Sequence, residues 1–385
     1  MPPETSSQLK KSFLKYQHLF VLIAPLLFVV GVVTTAPTPT DAGLDYWLRY
    51  WWMFFFFLLG ATTVNTVGIS GSALFVPFLI FAFPVLANAL APNTLLKVPL
   101  EPSTLVKIGL ISESFGLSSS AVAFVQYGLV DRRLAVTLVG GSVPFVIGGA
   151  VLSFFIPDPL FHAALGLALL AAAYLLYSAD LDHESAESAD DPVADETVAD
   201  GDEAVPDGGE ESGADGTGLP DDADKLGDAG VAVEGDDVTR VTRAGDTYSY
   251  TWSGYLERFA NYSVGGLFQG LAGFGIGELG IISQLRTNVP VRVAIGTNHI
   301  VVALTAILAS LVHVFGGGLV PGAHSLSLAS TPWNIVVFTV PATVIGGQVA
   351  PYVSNTLDTD TLTLGVAGLF GVISVALFLM AVGVA

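Results

Sequence analysis

The sequence of 385 residues contains no cysteine, and charged residues make up only 12% of it. The absence of cysteine excludes a domain held together by disulfides. The charged share is about half that of an ordinary soluble domain, whereas hydrophobic residues reach 52%. Lysine and arginine together number 14 against 34 acidic residues, so the chain offers no basic face for nucleic acid. Composition therefore excludes a nucleic-acid-binding protein and an ordinary soluble enzyme as well.

Motifs of enzyme chemistry are also missing. The sequence has no P-loop, no HExxH, no CxxC and no GxSxG, so nothing in it indicates ATP hydrolysis or zinc chemistry. No nucleophile with an adjacent base can be named for an intramembrane enzyme. We therefore expect no enzyme activity, no cofactor and no metal.

The acidic charge is concentrated in residues 180–250. This segment holds 23 of the 34 acidic residues but only three basic ones, so it carries a net charge of −20 and the rest of the chain is neutral. It is rich in Asp, Glu, Gly and Pro, and it cannot bury enough apolar surface to offset its ordering entropy. The composition predicts a disordered linker, either a regulatory or docking tail or a solvated spacer. Its preference for Asp over Lys suggests a high-salt host.

The neutral remainder consists of apolar runs long enough to cross a bilayer, which takes about 20 residues per helix. Eleven candidate segments are present: about 18–36, 47–68, 71–91, 103–127, 134–156, 160–178, 256–272, 276–285, 293–315, 332–353 and 361–384. They predict an all-α polytopic membrane protein. We divide it into an N-terminal tail with a first transmembrane helix (1–45), a first repeat (46–179), the linker (180–250) and a second repeat (251–385). The first run, preceded by Lys10, Lys11 and Lys15, also resembles a cleavable signal peptide.

The two flanks of the linker resemble each other. VPFVIGGA at 143–150 matches VPATVIGGQ at 340–348, VKIG at 106–109 matches VAIG at 293–296, and Leu-Gly recurs at 165–166 and 364–365. A polar, glycine-rich break also interrupts each half, at 65–72 and at 269–278. Because these matches keep their order, we predict a duplication.

Basic residues predict the orientation. The lysines of the N-terminal tail place that tail inside, and crossing each segment in turn places the linker inside as well. If each break joins two segments into a hairpin, each half has five segments and the second half is inverted. If each break is a kink in one long helix, each half has four segments and the linker lies outside the cell. Several arginines then also lie outside the cell. The first arrangement fits the basic residues better, and it is the architecture of many secondary transporters, with substrate near the membrane midplane.

The breaks are candidate anion sites. Glycine lets the backbone expose N–H groups, and a helix that starts at a break points its positive dipole end at the cavity. The alternative is close helix packing through small residues. The candidate substrate-binding residues are Asn65, Thr66, Gly68, Ser70, Gly71, Ser72, Gln269, Gly273, Gly275, Gly277, Thr297 and Asn298.

Three ionisable residues inside the spans are candidates for coupling, because a charge at the bilayer centre costs about 2.5–3.5 kcal/mol. Glu113 lies near the middle of its segment and is suited to carry a proton, although a structural carboxyl is the alternative. Glu278 lies beside the second break, and His299 follows Thr297 and Asn298. A lone histidine is more often a hydrogen-bonded structural residue.

These motifs resemble the TauE/SafE family of sulfite and organosulfonate exporters. The resemblance rests on residues 68–77, on Ile295-Gly296-Thr297-Asn298 and on Val130-Asp131-Arg132-Arg133-Leu134, and it covers about 50–178 and 256–384. Ser70 and Ser72 stand where the family usually has glycines, and the first half has Ile108-Gly109-Leu110 in place of an Ala-Thr-Asn-like triplet. The resemblance implies a multi-pass cell-membrane permease that moves small sulfur-containing anions outward.

Two functions therefore compete. The first is a secondary transporter that exports sulfite, a sulfonate or a related oxyanion, with the small anion and the lipid bilayer as partners. The sequence does not decide between a monomer and a homo-oligomer. The second is a membrane sensor or scaffold that acts through the acidic linker.

Overall fold

The computed structural model describes part of the chain: residue 21, 23–39, 43–90, residue 100, 102–126, 129–157, 159–164, 166–171, 173–174, residue 177, 230–234, 237–241, 247–249, 251–316, 328–356 and 359–382. The tail ahead of residue 21, with the lysines used for the orientation and the start of the possible signal peptide, lies outside these residues. So do residues 180–229 of the predicted linker.

The described part is mostly helical. Its first seven helices are α1 (Ile23–Thr35), α2 (Leu44–Leu48), α3 (Met53–Val67), α4 (Ser72–Leu90), α5 (Pro102–Gln126), α6 (Arg132–Leu152) and α7 (Pro159–Ala171). Five more follow the linker: α8 (Trp252–Ala272), α9 (Ile276–Arg286), α10 (Val291–Phe315), α11 (Trp333–Thr356) and α12 (Thr359–Ala381). A single 3-10 turn, Leu328–Ser330, precedes α11. The apolar runs thus predicted most helix ends to within a few residues.

Five of the described helices, α4, α5, α6, α10 and α11, are long and apolar enough to cross a membrane. Large apolar side chains are exposed on the outer surface, as at Leu59, Val136 and Val372, where lipid is their natural solvent. By contrast, α3 has 15 residues and α9 has 11. At 1.5 Å per residue they span about 22 Å and about 16 Å, short of the roughly 30 Å hydrocarbon core. Each of these short helices adjoins one of the two breaks.

The chain reverses direction at the first break. Phe57 of α3 stacks on Phe75 of α4, with ring centroids 4.3 Å apart, and Trp52 stacks on Phe83 at 5.9 Å. A residue earlier in α3 thus contacts a residue later in α4, as happens when two helices are antiparallel. The first break is therefore the tip of a hairpin and not a kink in one continuous helix.

The second break has the same form. The Arg286 side chain at the end of α9 lies 3.0 Å from Glu257, early in α8. Nearer the tip, a methyl group added at Gly265 would lie 2.7 Å from the Cα of Ile276. Helices α8 and α9 are therefore also antiparallel.

The hairpins are held in a bundle centred on α5 and α10, which pack against each other. The other extensive contacts join α6 with α8 and α10, and α11 with α3 and α5. Glycines allow the backbones of α6 and α8 to touch: a methyl group at Gly149 would lie 2.0 Å from the Leu267 carbonyl oxygen. One at Gly270 would lie 2.0 Å from the Val146 carbonyl oxygen. Small residues at such crossings are typical of helices in membranes.

The expectation of a uniformly disordered linker is wrong for its last part. Gly230–Glu234, Asp237–Val241 and Thr247–Ser249 form an antiparallel sheet in the order β1-β2-β3. Val and Thr recur along these strands, and such residues favour the pleated surface. The hydroxyl of Tyr248 donates to Asp131 Oδ2 over 2.8 Å, which attaches the sheet to the start of α6. The acidic composition of the whole segment hid this short β-forming stretch.

Candidate functional site

The first hairpin tip depends on a glycine. Gly68 ends α3 in the left-handed region, with φ 77°, and its N–H donates to the Val64 carbonyl oxygen. Glycine adopts this conformation without the steric penalty of a Cβ. The chain then passes through Ile69, Ser70 and Gly71 before α4 begins at Ser72. The N–H of Ser72, at the start of α4, points to the Glu113 side chain of α5.

The second tip uses two glycines. Gly273 ends α8 with φ 89°, and Gly275 precedes α9 with φ 119°, a value suited to glycine. The N–H of Gly275 donates to Glu278 Oε2 over 2.8 Å, so the carboxylate caps its own helix. A negative group in the first turn also suits the helix dipole.

The two tips contact each other although about 200 residues separate them in the chain. The N–H of Ser70 donates to Glu278 Oε1 over 3.1 Å. The Asn298 side chain on α10 links both tips, because its Nδ2 donates to the carbonyl oxygens of Gly68 (2.9 Å) and Gly277 (2.8 Å). The breaks that the sequence placed in separate halves thus form one buried structure.

Glu113 lies at the centre of that structure, near the middle of α5, and only 1% of it is exposed. Its Oε1 accepts from Ser70 Oγ (2.5 Å) and from Gln269 Nε2 (3.2 Å). Its Oε2 accepts from the N–H of Ser72 (3.0 Å) and from the Ser72 hydroxyl. Each carboxylate oxygen therefore has two donors, supplied by both hairpins. We call these four donors the donor nest.

A small cavity adjoins the donor nest. Asn65, Gly71, Glu113, Gly116 and Thr343 are among the residues that line it, and it has room for about one water molecule. Asn65 is 2% exposed, and its Oδ1 accepts no hydrogen bond from any described residue. A buried acceptor without a donor is costly, so this atom calls for an explanation.

Sequence reasoning did not single out Tyr262 or Gln284, which complete the network around Asn298. The Tyr262 hydroxyl donates to Asn298 Oδ1 over 2.6 Å and accepts from Gln284 Nε2 over 2.6 Å. Tyrosine is common at membrane interfaces, so its presence in an apolar segment gave no signal. The polar Gln284 inside a short apolar run was the clue available.

The structure brings most predicted residues together, but three lie apart from the donor nest. The Thr66 hydroxyl donates to the Thr62 carbonyl oxygen of its own helix, and Thr297 Oγ1 accepts from the N–H of Asp131. The ring of His299 packs 4.8 Å from that of Phe124, and neither of its nitrogens has a hydrogen-bond partner among the described residues. His313 is also buried, and its Nε2 lies 2.8 Å from the Gly270 carbonyl oxygen.

The donor nest presents the kind of donors that an oxyanion needs. N–H and O–H groups converge on the two carboxyl oxygens of Glu113 without a lysine or an arginine among them. Among the described residues, no group of three or more His, Asp or Glu side chains is arranged to hold a metal ion.

The chain was also compared with known proteins. The model of one family, described as sulfite exporter TauE/SafE, matches residues 52–377, which include both hairpins, Glu113 and Asn298. No curated protein and no solved structure matches the chain. Since the matched region covers most of its length, this membrane-embedded chain belongs to the sulfite exporter TauE/SafE family.

Proposed function

We propose that the protein is a secondary transporter that exports a small oxyanion, such as sulfite or a sulfonate, through the site between the two hairpin tips. One observation carries the proposal: four donors from both hairpins converge on the two carboxyl oxygens of Glu113 at the middle of α5. The family is one of transporters of sulfite and sulfonates. The negative-inside potential drives an anion outward with about 2.3 kcal/mol per charge per 100 mV.

We further propose that the two halves are inverted repeats. Both contain a hairpin with glycines at its tip, and the contact of α6 with α8 has its counterpart in that of α11 with α3. A hairpin crosses the membrane an even number of times, whether or not its helices span it completely. With α5, α6 and α7 added, the first half crosses an odd number of times, so the second half begins on the opposite side. Transporters of this architecture bind substrate between the repeats.

This topology places the N-terminus and the acidic linker in the cytoplasm. A reporter that is active only outside the cytoplasm, inserted between residues 190 and 220, should therefore be inactive. Activity of that reporter would contradict the inverted arrangement.

The function itself is tested by flux. Inverted membrane vesicles that contain the protein should accumulate labelled sulfite or ethanesulfonate above vesicles without it, because export from the cell is uptake into an inverted vesicle. A panel of small anions identifies the substrate. If no anion of the panel accumulates above the level of empty vesicles, the proposed function is wrong.

A further inference from the structure

The donor nest is already filled by the protein's own carboxylate. Both oxygens of Glu113 have two donors each, so a substrate oxyanion finds those donors taken. Two negative charges side by side in a buried site also repel each other strongly. Ionised Glu113 and an oxyanion therefore cannot occupy the donor nest together, and the side chain must move or lose its charge before an anion binds.

The cavity beside the donor nest offers a second position for the Glu113 side chain. A carboxylate moved there would lose its four donors, which is costly for a buried charge. A protonated carboxyl group instead has one O–H to donate and needs an acceptor. Asn65 lines the same cavity, and its buried Oδ1 accepts no hydrogen bond from any of the described residues. An O–H donated by protonated Glu113 would satisfy this unpartnered atom.

We propose that Glu113 is a proton-operated gate of the oxyanion site: the protonated side chain moves into the cavity beside Asn65, and the substrate takes its place in the donor nest. The inference rests on the proposed function and adds its substrate class and its regulation. Because the donors are paired on two oxygens, the site fits an oxyanion with at least two oxygens on one centre, such as a sulfonate, better than a halide.

The groups that face Glu113 leave few other candidates for this proton. Neutral side chains come from α3, from the first tip and α4, from α8 and from α11: Asn65, Ser70, Ser72, Gln269 and Thr343. From α9, Glu278 is linked to Glu113 through Ser70. On α10, the rings of His299 and His313 contact Phe124 and Phe154. Lys107, on α5 itself, donates to Ser330 Oγ over 2.5 Å. Glu278 is therefore the competing group that a test has to separate.

The effect of pH on anion affinity follows from the replacement of the Glu113 side chain by the anion in the donor nest. Binding requires protonated Glu113. At any pH where Glu113 is ionised in the free protein, the protein therefore takes up one proton for each anion that it binds. Affinity then rises as pH falls, by up to about tenfold per pH unit for a single proton. Affinity stops changing at the pH where Glu113 is already protonated without substrate.

Binding of methanesulfonate to the purified protein in detergent tests the proposal, because this anion does not titrate in the usable pH range. Affinity is measured by calorimetry over a pH series, and proton uptake is followed in weakly buffered solution. The wild type should take up close to one proton per anion, and chloride should not compete. Glu113→Gln should bind methanesulfonate with no proton uptake and with an affinity that does not vary with pH.

Asn65→Leu supplies a second test. It removes the acceptor for the protonated side chain and should weaken methanesulfonate binding at every pH. Thr63→Val, which removes a hydroxyl bonded only to the Leu59 carbonyl oxygen of the same helix, is the matched control and should bind as the wild type does.

The outcomes are distinguishable. Binding with no proton uptake and no pH dependence in the wild type overturns the gate and leaves the proposed function standing. Proton uptake that persists in Glu113→Gln also overturns it, since the proton then goes to another group such as Glu278. If neither the wild type nor Glu113→Gln binds methanesulfonate, sulfite or ethanesulfonate at any pH, the proposed function fails together with the gate.

Discussion

Asn298 is the residue that most directly holds the two hairpin tips together. Its amide makes three hydrogen bonds, two as donor to tip carbonyl oxygens and one as acceptor from Tyr262. All of these groups are buried, so no water is at hand to replace a lost bond. Asn298 thus adds to the links that Ser70 makes with Glu278 and that Glu113 makes with both hairpins.

Replacing Asn298 by leucine, which has a similar volume, should destabilise the protein by about 1–3 kcal/mol, because buried carbonyl oxygens lose their donors. Reversible unfolding in detergent measures the effect. The control is Thr305→Val on the same helix, since the Thr305 hydroxyl donates only to carbonyl oxygens one turn earlier. Equal stabilities of the two variants would contradict the bridging role of Asn298.

The sequence identified Glu113 and Glu278 because an ionisable group in an apolar segment is costly and therefore conspicuous. It also identified Ser70, Ser72 and Gln269 through their place in the breaks. It did not reveal that Glu113 occupies the donors expected for the substrate. That contact joins residues from three separate segments, and no local pattern records which side chain reaches which helix start.

At the scale of the element, the hairpin tips work through close backbone contact. Gly277 lies against the first tip, where an added methyl group would lie 2.7 Å from the backbone nitrogen of Ser70. That nitrogen donates to Glu278, so a displaced tip also loses a link between the hairpins.

Gly277→Ala should therefore reduce transport by tenfold or more, which corresponds to about 1.4 kcal/mol, while the protein stays in the membrane. Gly140→Ala is the matched control, because no atom lies within 4 Å of the methyl group that it adds on α6. Initial rates of labelled sulfite uptake into inverted vesicles, corrected for protein amount, measure the transport of both variants. Full transport by Gly277→Ala would show that the contact of the tips is not needed.

Helix positions were predictable because the thickness of a bilayer fixes the length of an apolar run. Hairpin geometry was favoured only by the distribution of basic residues, since a glycine-rich break by itself is compatible with a kink as well as with a reversal. The aromatic pairs between α3 and α4 depend on which faces meet, and the sequence leaves that open. The three short strands in the last part of the linker were missed because the charge of the surrounding segment dominated the composition.

At the scale of the whole molecule, the described part of the acidic segment supplies none of the donors around Glu113. The described sheet in its last part reaches the start of α6 through the Tyr248–Asp131 hydrogen bond, and the donor nest lies at the middle of α5. The net charge of −20 thus belongs to a segment that supplies none of the four donors around Glu113.

Deletion of residues 185–225, which leaves the sheet and Tyr248 in place, should keep the rate of sulfonate transport within about twofold, a difference of less than about half a kcal/mol. Uptake into inverted vesicles, at matched amounts of protein, is the measurement. A protein that stays in the membrane but loses transport would instead assign the linker an active role, as the sensor or scaffold hypothesis requires.

The central claim is that an oxyanion passes through the site at the hairpin tips, and exchange in liposomes tests it most directly. Purified protein is reconstituted with unlabelled ethanesulfonate inside, and entry of labelled ethanesulfonate is followed. Exchange needs no driving force, so the result does not depend on the coupling ion. We expect rapid entry that sulfite inhibits, that chloride leaves unchanged and that Gly277→Ala slows by about tenfold or more. Entry no faster than into protein-free liposomes, for ethanesulfonate and for sulfite alike, would contradict the account.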